Sequence, residues 1–142
     1  MDKVVEQALI IKKSMMITKN PQPINDVYKL DKKTLGSGTY GVVTKITHLK
    51  TNHERACKTI AKKKIKNWER FEQEIKILQT LDHPHILKMY EFFEDDKNVY
   101  LITELCTGGE LFDKIIEKEQ FEEGYAARTF KSILQAINYC HS

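Results

Sequence analysis

The stretch that decides the fold reads Leu35-Gly36-Ser37-Gly38-Thr39-Tyr40-Gly41-Val42-Val43, and it is followed by Arg55-Ala56-Cys57-Lys58. Its three glycines let the backbone approach a polyphosphate closely, because no Cβ stands in the way. In a dinucleotide-binding fold such a motif opens a helix, and Glu54 does lie near the ~20-residue spacing expected of a ribose-binding acid. Here, however, the glycines run into a β-branched segment, residues 42–47, which is typical of a strand. The stretch therefore predicts a glycine loop that closes a hairpin, with a lysine on the next strand beneath it.

Further motifs follow in order: Glu74, His83-Pro84-His85, Tyr100-Leu101-Ile102-Thr103-Glu104-Leu105 and Gly108-Gly109-Glu110-Leu111-Phe112-Asp113. With the glycine stretch and Lys58, they make residues 28–142 resemble a protein kinase domain. The last two motifs, and Leu81-Asp82-His83-Pro84, are similar to the calcium-dependent and calmodulin-dependent Ser/Thr kinases.

The resemblance implies an α+β fold: a small lobe with a five-stranded antiparallel sheet and one helix (helix C of kinases), then a hinge and the first two helices of a truncated large lobe. It divides the chain into an extension and linker at 1–27, the small lobe at 28–103, the hinge at 104–108 and the start of the large lobe at 109–142. The residue pattern predicts strands at about 28–36, 41–49, 53–60, 86–93 and 98–104.

The resemblance also implies an ATP site. The glycine loop would consist of Leu35, Gly36, Ser37, Gly38, Thr39, Tyr40, Gly41 and Val43. The side chains of Leu35, Val43 and Ala56 would sandwich the adenine, and Lys58 would hold the α and β phosphates. Backbone groups near Glu104 and Cys106 would bind the adenine edge. Thr103 would be the gatekeeper, and its small side chain predicts room for bulky inhibitors.

From the pattern alone, Lys58 is one of several lysines between 58 and 66, and its neighbours are typical of a solvated surface. It differs from them because Ala56, two positions earlier, faces the same side of the strand and leaves room for a ring.

The next helix begins after Asn67, a plausible N-cap. Its apolar stripe consists of Trp68, Phe71, Ile75, Leu78 and Leu81. From the residue pattern alone, Glu74 would be an ordinary solvent-exposed glutamate on this helix. The resemblance instead makes Glu74 the glutamate that pairs with Lys58, and it places Leu78 and Met89 in the core behind that pair.

Two helices are predicted after the hinge, one at about 110–118 and one that follows Phe121-Glu122-Glu123 and runs to the end of the sequence. Glu110 fits the positive end of the first helix dipole, and by resemblance a glutamate in this phrase binds a substrate arginine. The buried side of the last helix would consist of Phe130, Ile133, Leu134, Ile137 and Cys140.

Composition excludes several classes of protein. With 23 basic and 20 acidic side chains, the net charge of +3 does not favour a nucleic-acid partner. The three cysteines lack metal-ligand spacing and indicate reduced thiols. His83 and His85 lack further ligands, so no metal site is predicted. No apolar run approaches the ~18 residues of a transmembrane helix, and we expect a cytoplasmic protein.

Residues 1–27 lie outside the motifs. A short helical face, formed by Val4, Val5, Ala8, Ile11 and Met15, would suit docking to a partner or a membrane surface. A loosely ordered extension is the favoured alternative, because the pattern is short. Pro21 and Pro23 mark the linker.

The kinase motifs H-R-D-x-x-x-x-N and D-F-G do not occur in the 142 residues. By resemblance, the catalytic aspartate and the Mg²⁺ ligands lie outside this chain, which alone should not transfer phosphate. We therefore expect a fragment of a longer kinase acting on protein substrates, with Phe130, Ile133 and Ile137 exposed on the last helix. A truncated scaffold with a partner that covers this helix, and a nucleotide-binding regulator without transfer activity, are the alternatives.

Overall fold

A computed structural model describes residues 19–38, 41–118 and 121–142. Thr39 and Tyr40 of the glycine loop lie outside the described residues, as does the apolar face predicted between Val4 and Met15. The chain divides into two compact units. One comprises the chain up to Thr80 together with Lys88–Leu105, and the other comprises Leu81–Leu87 with Cys106–Ser142.

The described residues of the first unit form five strands and two helices. Their bounds are α1 (Ile24–Val27), β1 (Tyr28–Gly38), β2 (Gly41–His48), β3 (Glu54–Ala61), α2 (Trp68–Thr80), β4 (Met89–Glu94) and β5 (Asn98–Thr103). A single turn of 3₁₀ helix, Lys62–Lys64, follows β3. The strands form one antiparallel sheet in the order β1-β2-β3-β5-β4. This α+β architecture agrees with the fold class predicted from the sequence.

Two turns close the hairpins by identifiable chemistry. Between β2 and β3, Asn52 has a φ of 56°, a left-handed conformation that asparagine tolerates better than most residues. Between β4 and β5, the Asp95 carboxylate accepts hydrogen bonds from the backbone N–H groups of Lys97 and Asn98, each at 2.7 Å. Such a carboxylate satisfies donors that the turn would otherwise leave unpaired.

The core lies on both faces of the sheet, because successive strand residues point to opposite sides. Cys57 belongs to a cluster on one face, and Ile60 belongs to a cluster on the other. The first cluster consists of Ile24, Tyr28, Ile46, Cys57, Phe93 and Ile102. The second consists of Ile60, Ile75, Met89, Val99 and Leu101. Since Ile75 belongs to α2, this helix packs on the face that carries Ile60.

Helix α2 begins as predicted, because the Asn67 side chain accepts a hydrogen bond from the N–H of Arg70 at 3.0 Å. Fewer residues of this helix pack against the sheet than its apolar stripe predicts. Ile75 is buried and Phe71 packs beside it, whereas Trp68 and Leu78 are 41% and 39% exposed. The prediction that Leu78 lies in the core is therefore wrong, since the packing involves the middle of the helix and not its last turn. Met89 is buried as predicted.

The second unit contains α3 (Leu111–Glu117) and α4 (Glu123–His141). Within it, the backbone N–H of Asp82 donates to the Tyr139 hydroxyl at 3.0 Å, and the His83 ring lies 5.1 Å from that tyrosine ring. The predicted buried side of α4 is exposed in this chain: Phe130 is 62% exposed, and Ile133, Leu134, Ile137 and Cys140 are also exposed. No helix among the described residues is both long and apolar enough to span a bilayer.

Candidate functional site

Strand pairing brings the glycine stretch and the predicted lysine into one row across the sheet. Gly36 on β1 pairs with Val43 on β2, Val43 pairs with Lys58 on β3, and Lys58 pairs with Leu101 on β5. Neighbouring strands are about 4.8 Å apart, so this row joins four strands over a short distance. Lys58 thus lies one strand from the glycine hairpin.

The face on which Lys58 lies follows from the alternation of β3. Ala56, Lys58 and Ile60 share one side, and Ile60 packs with Ile75 of α2. Ala56 is buried and pairs with Thr103 on β5, while Lys58 is partly buried. The structure therefore places Ala56 and Lys58 on the side of the sheet on which α2 packs.

The glycines of the hairpin differ in what surrounds them. A Cβ built at Gly36 or at Gly38 would point into open space. A Cβ at Gly41 would overlap the carbonyl oxygen of Thr59 on β3. Gly41 is therefore required by the sheet itself, whereas a Cβ at Gly36 or Gly38 would meet no other atom.

Glu74, the predicted partner of Lys58, lies on the correct helix and is 60% exposed at its side chain. Its carboxylate accepts a hydrogen bond from the Arg70 guanidinium, one turn earlier, at 3.3 Å. Such exposed pairs contribute only about 0–1 kcal/mol, so this contact is weak enough to exchange for another. The pairing of Glu74 with Lys58 stays a prediction.

The segment after β5 uses part of its hydrogen-bonding capacity internally. The N–H of Glu104 donates to the carbonyl of Lys88 at 2.9 Å, and the Glu104 carboxylate accepts from the N–H of Lys88 at 3.1 Å. The Thr103 hydroxyl donates to the Glu104 carbonyl at 3.2 Å. A carbonyl oxygen has two lone pairs, so that of Glu104 can still accept a second bond from an adenine edge.

The other described residues of the predicted site are exposed, namely Leu35, Ser37, Cys106 and Glu110. Leu35 and Ser37 lie on β1, whereas Cys106 and Glu110 belong to the second unit. Glu110 occupies the N-cap position of α3, but its side chain makes no capping hydrogen bond. Any favourable effect of Glu110 on α3 therefore comes from its charge near the helix dipole.

A polar network that no sequence pattern predicted crosses the face of the sheet opposite to Lys58. The Tyr28 hydroxyl donates to Glu91 at 2.6 Å and accepts from Arg55 at 2.8 Å. The Asn20 side-chain amide donates to the second oxygen of Glu91 at 3.0 Å. Burial and the Glu91 carboxylate raise the pKa of Tyr28 above its ordinary value. These residues come from four separate segments, and no spacing in the sequence connects them.

The described residues contain no group of three or more histidine, cysteine or acidic side chains that could hold a metal ion. Burial raises the pKa of the Cys57 thiol to about 11, so this cysteine is not a reactive nucleophile at neutral pH. The described residues thus place the glycine hairpin, Lys58 and the small buried residue Ala56 on one sheet.

Comparison with known proteins agrees with this geometry. A family model described as "Protein kinase domain" matches residues 29–142. The chain is 47% identical over 127 residues to calcium-dependent protein kinase 5 of Plasmodium falciparum (isolate 3D7), covering 89% of this chain and 22% of that protein. It is 51% identical over 118 residues to calcium-dependent protein kinase 3 of Plasmodium yoelii yoelii, covering 83% and 22%.

A plant protein, calcium-dependent protein kinase 14 of Arabidopsis thaliana, is 38% identical over 133 residues, covering 89% of this chain and 25% of that kinase. The chain thus spans about a quarter of the length of these curated relatives. The family match covers most of the chain, and the paired strands carry the residues on which the resemblance rests. The chain belongs to the protein kinase family.

Proposed function

We propose that this chain is the ATP-binding part of a Ser/Thr protein kinase, which transfers the γ-phosphate of ATP to serine or threonine in protein substrates. The observation that carries the proposal is the row Gly36–Val43–Lys58, which sets the glycine hairpin beside a lysine on one sheet. The open space over Gly36 and Gly38 supports it.

In this proposal each residue has a physical task. Gly36, Gly38 and Gly41 form the lid, together with Leu35, Ser37, Thr39, Tyr40 and Val43. Leu35, Val43 and Ala56 contact the adenine, and Lys58 neutralises charge on the α and β phosphates. Glu104 and Cys106 bind the adenine edge through backbone groups, and Thr103 lines the back of the pocket. Bound ATP supplies the phosphoryl group.

Glu74 would exchange its contact with Arg70 for one with Lys58 and would orient the ammonium group of that lysine.

The domain boundaries also belong to the proposal: a small lobe at 28–103, a hinge at 104–108 and the start of a large lobe at 109–142. Glu110 would bind a basic side chain of the substrate. Mg²⁺ ligands and a catalytic aspartate would lie outside residues 1–142, so this segment alone would not transfer phosphate. A cytoplasmic location is part of the same proposal.

The test compares Lys58→Met with Lys66→Met in the full-length protein. Lys66 is an exposed lysine in the loop before α2, so its substitution makes the same chemical change away from the site. Loss of one charge-assisted contact should weaken ATP binding about 10- to 100-fold in Lys58→Met, and phosphate transfer to a Ser/Thr peptide should fall about 10²–10³-fold. Lys66→Met should match the wild type. Unchanged ATP affinity and transfer in Lys58→Met would refute the assignment.

Calcium dependence is proposed from the printed names of the relatives. Because the described residues form no metal cluster, the calcium site would lie elsewhere in the full-length protein. Transfer activity of that protein should rise when calcium is added and fall when a calcium chelator is present. Equal activity in both conditions would show that calcium does not control it.

A second candidate is a kinase-like scaffold without transfer activity. The exposed apolar side chains of α4, Phe130 and Ile137 among them, are the observation that favours it. A partner covering α4 would protect it from hydrogen exchange in the assembled protein. A full-length protein that binds such a partner but has no transfer activity, whatever the calcium level, would support the scaffold.

A further inference from the structure

One hydrogen bond beside the ends of strands β4 and β5 departs from the regular ladder. The ladder ends with the pair Met89 and Thr103, the first residue of β4 and the last of β5. At the next position, the N–H of Glu104 donates to the Lys88 carbonyl at 2.9 Å, as in a regular ladder. The return bond is different, because the N–H of Lys88 donates to the Glu104 carboxylate at 3.1 Å.

This return bond replaces a backbone acceptor by a side-chain acceptor. In a regular hydrogen-bonded pair of antiparallel strands, two opposite residues exchange both of their N–H···O=C bonds. The regular acceptor for the Lys88 N–H is therefore the backbone carbonyl of Glu104. Here Oε1 of the same glutamate takes the place of that carbonyl oxygen, and the ladder stops one pair earlier.

The backbone carbonyl of Glu104 has a different partner. It accepts a hydrogen bond from the Thr103 hydroxyl at 3.2 Å, and its second lone pair can accept another donor. Three hydrogen bonds thus restrain Glu104, at its N–H, its carboxylate and its carbonyl. A carbonyl that is already fixed loses little conformational freedom when a ligand binds to it.

Strand β4, which begins next to Lys88, is also held on the edge that faces away from β5. Lys19 forms a parallel bridge with Phe92, and the N–H of Asn20 donates to the Phe92 carbonyl at 2.9 Å. The ammonium group of Lys19 lies 2.7 Å from the Glu94 carboxylate. Because β4 is paired on both edges, the Lys88 N–H beside it is a well-placed donor for the Glu104 side chain.

We propose that Glu104 is a positioning residue, whose carboxylate binds the Lys88 N–H and thereby releases its own backbone carbonyl to accept a hydrogen bond from the 6-amino group of adenine. The inference rests on the function proposed above, in which backbone groups of this segment bind the adenine edge. It adds a task for the side chain, which acts on the carbonyl without touching the nucleotide. If residue 104 had no side-chain acceptor, the Lys88 N–H would bond the backbone carbonyl and compete with adenine for it.

Equilibrium binding of two nucleotides to the full-length protein tests the proposal. Purine riboside triphosphate has the rings, ribose and phosphates of ATP but lacks the 6-amino group. The wild type should bind ATP about 3- to 10-fold more tightly than this analogue, which corresponds to one hydrogen bond. In Glu104→Ala the preference should disappear. Glu104→Gln should keep it, because the glutamine side chain still offers a carbonyl oxygen to Lys88.

Glu69→Ala is the matched control, because it removes an exposed glutamate on α2 and should keep the wild-type preference. A preference for ATP that persists in Glu104→Ala would overturn the proposal, as would its absence from the wild type or its loss in Glu104→Gln. An equal loss of affinity for both nucleotides in Glu104→Ala would indicate a purely structural role and would overturn it too.

A crystal structure of nucleotide-free Glu104→Ala provides a readout that does not depend on ATP. The backbone nitrogen of Lys88 should lie within about 3.2 Å of the carbonyl oxygen of residue 104, and a clearly longer distance would overturn the proposal. If the wild type bound no ATP, the proposed function would be refuted, whereas this distance would still test the exchange of acceptors. The two failures are therefore distinguishable.

Discussion

The hydroxyl of Tyr28, at the first residue of the sheet, lies 2.6 Å from the Glu91 carboxylate on the opposite edge strand. Arg55, on the central strand β3, donates to the same hydroxyl, and its guanidinium lies 3.9 Å from the centre of the Tyr90 ring. One buried phenol thus connects β1, β3 and β4. Buried polar groups of this kind are costly to leave unpaired.

Tyr28→Phe should lower the free energy of unfolding by about 1–3 kcal/mol, because it leaves Glu91 and Arg55 without their shared partner. Chemical denaturation measures the change. Tyr125→Phe, at an exposed position on α4, makes the same substitution and should change stability by less than about 0.5 kcal/mol. An unchanged unfolding midpoint for Tyr28→Phe would show that the network contributes nothing to stability.

Alanine substitutions should separate the two roles of the glycines. Gly41→Ala should destabilise the fold by about 1–3 kcal/mol, because its methyl group would overlap the Thr59 carbonyl. Gly36→Ala should leave the unfolding free energy within about 0.5 kcal/mol of the wild type, yet weaken ATP binding. Denaturation and ATP titration of both variants check this. A destabilised Gly36→Ala would contradict the open space seen above that residue.

Cysteine labelling should follow exposure and thiol acidity. Cys106 and Cys140 are exposed, whereas Cys57 is fully buried and burial raises the pKa of its thiol from 9.0 to about 11. At pH 8 a thiol reagent should label Cys57 at least about 100-fold more slowly than the other two. Peptide mapping of the labelled protein, native and denatured, measures the three rates. Rapid native labelling of Cys57 would place it outside the core.

Acid should weaken the ion pair between Lys19 and Glu94. Hydrogen bonds from Lys19 and then Lys62 hold the pKa of the Glu94 carboxyl below its ordinary value of 4.5. A lowered pKa means that this stabilisation is present above about pH 4.5 and is lost as the pH falls through the pKa of the folded state.

Wild-type unfolding midpoints should therefore fall more between pH 6 and pH 3 than those of Glu94→Gln, since the glutamine cannot be protonated in this range. Denaturation over a pH series measures the difference. If the unfolding midpoints of the wild type and Glu94→Gln fell by the same amount over this pH range, the role assigned to Glu94 would be contradicted.

Local patterns predicted much of the first unit. The residue pattern predicted strands whose ends differ from the structure by only one or two residues in most cases. Strand β4 is the exception, since the prediction began at Ile86 and the strand begins at Met89. The N–H of Ile86 instead donates to the carbonyl of His83 at 3.1 Å, in a turn that an apolar sequence does not reveal.

Long-range partners were harder to predict. The apolar stripe of α2 indicated a buried face but not how much of it meets the sheet, which is why Leu78 was misplaced. Glu74 has a partner four residues away, Arg70, and a local contact of this type competes with any distant one. The network around Tyr28 depends on the order of the strands, which sequence spacing does not encode. The row from Gly36 to Lys58 was predictable, because hairpin pairing is itself local.

The bridge between Lys19 and Phe92 also has a consequence for how separate molecules meet. Strand β4 is an edge strand of the sheet. The backbone N–H and C=O groups of an edge strand can pair with a strand of another molecule. The amide of Asn20 already occupies the carbonyl of Phe92, and charged side chains from Lys19 and Glu94 stand beside it. Removing the chain up to and including Asn20 would therefore expose the backbone of β4 to pairing with a strand of another molecule. Aggregation would be the first consequence.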